Sequence, residues 1–294
     1  MAVLYQMKLD QSIVDCGMSY VFQLESGHFF LIDGGFFTPG EADRLYRFLR
    51  ERSKGKPVID GWFFSHAHQD HVGVFLDMME EHGKDLVIRK LIYNFQPLDL
   101  PVTSDGWKEV KSDLATVKRF YEVIEEYCQG IEVSIPHTGD HWLQDELSIE
   151  VLYTHEDLDV PSTFNDHSTV LRIETAGWSM LFLGDIFQHG SRILLANSPE
   201  KLKCDIVQVA HHGFAGATKE LYQATEARIA LWPSTQEEIK ANLYREANDY
   251  LLNHSGISQH LIGGDGTLEL SFPSCPEKSG ECKVTIPVKA ISHW

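Results

Sequence analysis

Apolar positions alternate or run briefly between residues 3 and 34, and Ser26-Gly27 separates VFQLE from HFFLIDGG. That pattern predicts strands joined by a tight hairpin. The period then changes. Leu45, Phe48 and Leu49 stand at i, i+3 and i+4, so residues 41–52 predict an amphipathic helix that KGKP ends. VIDGWFF reads as a buried strand, and it delivers the chain into SHAHQDHVG at residues 65–73. VFLDMMEEHG predicts a helix, LVIRKLIYN a strand, and FQPLDLPVTSDG a loop whose two prolines exclude regular structure. From 113 to 129, Leu114, Val117, Phe120, Tyr121, Ile124 and Tyr127 keep a helical period, and Gly130 supplies the stop.

The second half again begins with strand-like runs, IEVSI, LSIEVLY, STVLRIE and WSMLFLGD, separated by turn residues. SRILLAN, DIVQVAHHG, ATKELYQAT, RIALWPS, a long polar helix from about 236 to 253, and HLIGGDGTLELSF follow, with helical and strand segments alternating. Neither a Ser/Gly-rich linker nor a charge block interrupts the chain, so residues 1–294 read as one domain. Strands before helices in each half predict two packed sheets with helices outside, compatible with a duplicated half-domain.

Composition narrows the function classes. Apolar residues make up 43% and charged residues 23% of 294, which excludes disordered, collagen-like and coiled-coil chains. Forty-three acids against 25 bases give a formal net charge of −18, a field that repels nucleic acid and anionic membrane surfaces. No apolar run approaches bilayer length and MAVLYQMKLD lacks the features of a signal peptide. Five scattered cysteines, Cys16, Cys128, Cys204, Cys275 and Cys282, suit a reducing compartment, and a cytoplasmic protein is expected. Cys275 and Cys282 either close a local loop across PEKSGE or remain two free thiols.

The fifteen histidines are the other anomaly, and part of the excess is concentrated. His66, His68, Asp70 and His71 place four metal-ligand side chains within six residues directly after a buried strand. Imidazole with carboxylate suits borderline divalent metals. His66 and His68 can serve one ion while Asp70 and His71 face a second. WSMLFLGD ends at Asp185, a charge at a buried strand exit that needs a partner or caps the next helix. His211-His212-Gly213 follows DIVQVA in the same way, and three strand ends then carry ligand residues. His28, His82, His254, His260 and His293 read as solvated. His137, His141 and His155 lie in loops that could border a pocket, with surface roles preferred. Tyr153, Phe164, Phe187 and Phe214 are either pocket lining or core.

LIDGG at 31–35, SHAHQDHVGV at 65–74, LGD at 183–185 and AHHG at 210–213 resemble the metallo-β-lactamase superfamily of metal-dependent hydrolases. NDHSTVLRIETAGWSMLFLGDI at 165–186, DIVQVAHHGF and GDGTLEL resemble more narrowly the metallo-β-lactamase-like domain of bacterial DNA-uptake (competence) proteins. The resemblance covers residues 15–272, leaving 273–294 as a C-terminal tail. It implies an α/β fold, a four-layer αββα sandwich, with a binuclear site along one sheet edge. Carried over by position, His66 and His68 hold the first metal, Asp70, His71 and His212 the second, and Asp185 bridges them. Asp70 and Asp185 are the expected catalytic carboxylates. Asp33 is expected to orient the loop or a ligand histidine. The Thr-Pro-Gly-His-like turn of many members is missing, and Asn165, Asp166, His167 and Ser168 stand there instead. His167 has the best ligand chemistry of these, and the choice stays open.

The expected activity is hydrolysis by metal-activated water with two divalent ions, zinc or manganese. His211 is a candidate for the leaving-group proton, or holds the loop. The resemblance implies phosphodiesters, whereas −18 and the dispersed Lys54, Lys56, Arg89, Lys90, Lys118 and Arg119 argue against a long polyanion. A small or short phosphodiester is therefore the expected substrate. A lactone, β-lactam or thioester is the alternative, and a non-catalytic metal-binding protein of the same fold is the rival from another class. No partner protein or oligomeric state is legible.

Overall fold

The computed structural model describes residues 1–9, 11, 16–99, 101–103, 110–273 and 286–291. Cys275, Cys282 and His293 lie outside them. The first half runs β1 (Val3–Gln6), β2 (Tyr20–Gln23), β3 (Phe29–Ile32), α1 (Glu41–Glu51), β4 (Val58–Phe64), α2 (Gln69–His82), β5 (Val87–Ile88), β6 (Lys90–Tyr93), α3 (Val110–Tyr127) and β7 (Glu132–Ser134). The second half runs β8 (His141–Gln144), β9 (Leu147–Tyr153), β10 (Val170–Thr175), β11 (Trp178–Phe182), α4 (Gln188–Asn197), β12 (Ile206–Gln208), α5 (Lys219–Thr225) and β13 (Ile229–Trp232). It ends with α6 (Gln236–Ala241), α7 (Glu246–Asp249), β14 (Gln259–Ile262), β15 (Thr267–Ser271) and β16 (Val288–Ile291).

Two sheets form, in the order β16-β15-β1-β2-β3-β4-β6-β7, with β5 also on β4, and β14-β13-β12-β11-β10-β9-β8. In each, antiparallel pairs give way to parallel ones: from β3 to β7 in the first sheet and from β11 to β14 in the second. The period-two alternation of the strands explains the layering. Trp62 and Phe64 of β4 pack with Phe48, Phe75 and Phe120 in one apolar cluster. The intervening Phe63 enters a second cluster with Phe22, Phe30, Val151 and Phe182, between the sheets. Leu181 of β11 lies in a third with Leu194, Leu221 and Trp232. Helix, sheet, sheet and helix layers are thereby glued by three apolar interfaces, the expected αββα sandwich. Among the described residues, no helix is long and apolar enough to cross a membrane.

Several expectations shift. The hairpin forms, with Leu24 N–H bonded to the His28 carbonyl at 2.9 Å and Gly27 at φ 83° making the turn. The helix expected from VFLDMMEEHG starts earlier, at Gln69, so Asp70 and His71 occupy its first turn. The long helix over 236–253 is broken: α6 stops at Ala241, and Asn242 turns its amide onto the Glu238 carbonyl at 2.9 Å. His141, read as lying in a loop, opens the edge strand β8. Val288–Ile291, in the expected tail, pairs antiparallel with β15.

Candidate metal centre

The site is assembled where strands end. After β3 the backbone of Asp33 adopts φ 54°, and its carboxylate receives the Ser65 N–H and Oγ–H, each at 2.7 Å. The segment after β4 is thus tied to the segment after β3. Gly73 lets α2 seat against this loop, because a Cβ there would stand 2.4 Å from the Phe37 backbone nitrogen. From the second sheet, Gly184 (φ 56°) delivers Asp185, whose N–H donates to Ser168 Oγ at 2.9 Å. The turn after β12 places His211 and His212 at φ 49° and 56°.

Two ligand-competent sets result: Asp70, His71, Asp185 and His212, and His66, His68 and Asp185, all buried, with the ligand atoms of each set within 4.8 Å of one another. Asp185 belongs to both. His71 Nε2 and His212 Nε2 lie 3.1 and 3.2 Å from Asp185 Oδ2, and 3.3 Å from each other. His212 Nε2 also lies 3.0 Å from Asp70 Oδ2. His66 Nε2 is 3.8 Å from Asp185 Oδ2.

The tautomers follow from the bracing atoms. His71 Nδ1–H donates to Asp33 Oδ2 at 2.7 Å, His212 Nδ1–H to the Pro233 carbonyl at 2.9 Å, and His66 Nδ1–H to Ser65 Oγ at 3.2 Å. Each neutral imidazole then points its Nε2 lone pair inward. Lone pairs facing carboxylate oxygens at 3.0 to 3.2 Å repel unless a cation lies among them. Bonds of about 2.0 Å to a tetrahedral ion give ligand separations of about 3.3 Å. His66 Nε2 and Asp185 Oδ1 are buried without a hydrogen-bond partner among the described residues, so the donor set fits divalent metal.

A family model described as "Metallo-beta-lactamase superfamily" matches residues 15–229. The chain belongs to the metallo-beta-lactamase superfamily. Most members of this superfamily are metal-dependent hydrolases. ComE operon protein 3 of Bacillus subtilis (strain 168) is 26% identical over 222 residues, 75% of this chain and 25% of that protein. The chain therefore spans about a quarter of that relative's length. The metallo-beta-lactamase fold protein YhfI from Bacillus subtilis superposes with a TM-score of 0.53 at 13% identity, covering 89% of this chain and 96% of YhfI. A diphosphatase from the PhnP family gives 0.52 at 16% identity, covering 94% and 100%. These two structures share the superfamily's fold.

Burial and the facing carboxylates set the electrostatics of these groups. Burial alone would depress His71 and His212, but the Asp185 carboxylate, helped by Asp33 for His71 and by Asp70 for His212, pushes each up to about 10. Burial would raise Asp185, yet His212 and His71 hold it well below the usual carboxylate range. His66 is lowered by burial and by its neighbours His71 and His68. Burial raises Asp33 against the pull of His71 and Ser65.

The segment in place of the missing turn is buried, and its Asp166 and His167 join neither ligand set. Asp166 instead caps α4: its Oδ1 accepts the Phe187 and Gly190 N–H groups at 3.0 and 2.9 Å, and its Oδ2 accepts Ser162 Oγ–H at 2.6 Å. His167 faces His155 with ring centroids 5.9 Å apart and is pushed down to about 3 by burial. Ser168 braces Asp185. His211 sits between Phe187 and Phe214, centroids 4.8 and 5.6 Å away, and burial pushes it down to about 4. A neutral imidazole at physiological pH is a poor acid, which favours the loop-holding role over proton donation.

Other histidines divide. His137 pairs with Glu156 at 2.7 Å and His141 meets Ser148 Oγ at 2.9 Å, both at the surface. Four read as solvated are engaged: His28 with Asp60 at 3.1 Å, His82 with Asp43 at 2.7 Å, His254 with Asp249 at 3.2 Å, and His260 as acceptor from Trp232 Nε1–H at 3.1 Å. Tyr153 is core, its hydroxyl bonded to the Asp166 carbonyl at 2.6 Å, while buried Phe164 lies 5.8 Å from the His68 ring.

Sequence reasoning missed Ser65, Cys16 and Asp113. Cys16 Sγ donates to Asp70 Oδ2 at 3.6 Å, and Asp113 Oδ1 lies 3.5 Å from His68 Nε2. Asp113 had a signal: it shares a helical face with Val117 and Phe120, both buried, where an acid is costly without a partner.

Proposed function

We propose that this chain is a binuclear metal-dependent hydrolase acting on a small or short phosphodiester. The observation that carries it is Asp185 from the second sheet, common to two ligand sets whose other members, except His212, all follow β4 of the first sheet. Asp70, His71 and His212 would hold one ion, His66 and His68 the other, with Asp185 between them. Bound divalent ions, zinc or manganese, supply Lewis acidity, lowering the pKa of water to about 7 and offsetting charge that develops on the substrate.

The chain's own residues prepare that chemistry. Asp33 and Ser65 fix the tautomers of His71 and His66, and Pro233 fixes that of His212. Ser168 holds the backbone of Asp185. Buried walls around these groups strengthen every charge interaction at the reacting centre.

The phosphodiester assignment rests on the resemblance to DNA-uptake proteins, and a diphosphatase of the same fold is compatible with it. The short substrate rests on charge. Arg89, Lys90 and Lys118 are each paired with a carboxylate, Asp60, Glu132 and Glu122, at 2.7, 2.8 and 3.9 Å, and Arg119 with Glu80. Paired in this way, these four cations offer little free charge to offset −18 along a polyanion. Turnover of bis-p-nitrophenyl phosphate, a β-lactam and a lactone, each with zinc and with manganese, tests the assignment. Phosphodiester turnover is expected; activity confined to the acyl substrates would reverse it.

A further inference from the structure

His68 departs from the pattern of the other ligand histidines. His66, His71 and His212 each have Nδ1 braced and Nε2 turned inward. In His68 it is Nε2 that faces a carboxylate belonging to neither ligand set, Asp113 Oδ1 at 3.5 Å, with the two side chains only 5% and 8% exposed. That nitrogen is buried and has no hydrogen bond among the described residues, so the pair stands about half an ångström beyond a normal N–H to O bond. Asp113 lies in the first turn of α3, an 18-residue helix, where the positive end of the helix favours a carboxylate.

We propose that Asp113 is a positioning residue for the first metal. It accepts the Nε2–H of His68, and the imidazole offers its remaining lone pair, on Nδ1, alongside His66 and Asp185. Asp33 does the corresponding work for His71 in the second set. The two carboxylates divide the site, each orienting one histidine of one ion. The first set has three members and the second four, so disorienting His68 weakens the smaller set selectively. Outer partners of this kind are worth about 10- to 100-fold in metal affinity.

The inference rests on the binuclear reading. Its test is stepwise titration of the metal-free full chain with zinc, and with cobalt(II) as a spectroscopic probe, comparing wild type, Asp113→Ala and Asp113→Asn, with thermal melts to verify folding. Two binding steps are expected for wild type. Asp113→Ala should weaken one step about 10- to 100-fold and alter one cobalt signature, leaving the other step unchanged. Asp113→Asn, whose amide oxygen still accepts Nε2–H, should recover much of the loss. Wild-type titration by Asp113→Ala, equal weakening of both steps, or no recovery in Asp113→Asn would overturn the role of Asp113 alone. A single step or none in the wild type would overturn the binuclear reading and this inference with it.

Discussion

His71 and His212, 141 residues apart in the chain, bring their Nε2 atoms to within 3.3 Å of each other. One comes from the first turn of a helix behind the first sheet, the other from a left-handed turn after β12 in the second. Asp185 Oδ2 lies 3.1 and 3.2 Å from the two nitrogens. Three inward-facing acceptors at such separations require a proton or a metal ion among them.

That competition sets a pH dependence. His71 and His212 are raised from 6.5 to about 10, so without metal each holds a proton that an unfolded histidine releases near 6.5. The stability this confers on the metal-free fold is complete below 6.5 and is lost as pH rises toward 10. Metal must displace those protons, so loading strengthens over the same rise. Calorimetric titration in buffers of different ionisation enthalpy should show up to two protons released per chain near pH 7. Metal uptake with no proton release would contradict the arrangement.

Asp33→Ala removes the acceptor that fixes the His71 tautomer. Affinity for the second ion should fall about 10- to 100-fold, with the chain still folded, and Asp33→Asn should lose less. Equilibrium dialysis against zinc measures this. Undiminished affinity would show that the bond at 2.7 Å does not orient His71.

The local motifs were readable because each packs its candidate ligands within a few residues of a strand end. HAHQDH, LGD and AHHG needed no tertiary information, and the alternating apolar strands foretold two sheets between helices. Asp113 was not readable in that way, since a single acid at a helix start is ordinarily solvated and its partner lies 45 positions earlier. Which of Asn165 to Ser168 could replace the missing turn stayed open in the sequence, and the Asp166 carboxylate is taken up by backbone N–H groups at the start of α4. The break after Ala241 lay hidden in a polar stretch whose composition suits an unbroken helix.

Gly184→Ala should distort the bridge. Its backbone is at φ 56°, and an added Cβ would meet Ser168 Oγ at 2.9 Å and Ser65 Cβ at 3.1 Å. Overpacking of this kind costs about 1–3 kcal/mol, readable as a lowered urea midpoint, and metal content should fall with it because Ser168 holds the Asp185 N–H. An unchanged midpoint would mean that the three strand ends are less tightly packed.

His211→Ala should retain both metals and both limbs of the pH–rate profile, since the neutral ring serves to hold the turn against Phe187 and Phe214. Loss of one limb at full metal content would make His211 the proton donor instead.

The central claim is that one carboxylate serves two ions and that turnover depends on both. Elemental analysis of the purified chain, run in parallel with bis-p-nitrophenyl phosphate hydrolysis, tests it for wild type and Asp185→Ala. The expected result is two divalent ions per wild-type chain, and joint loss of metal and turnover in a folded Asp185→Ala. Full hydrolysis by metal-free protein, or wild-type metal content and rate in Asp185→Ala, would contradict it.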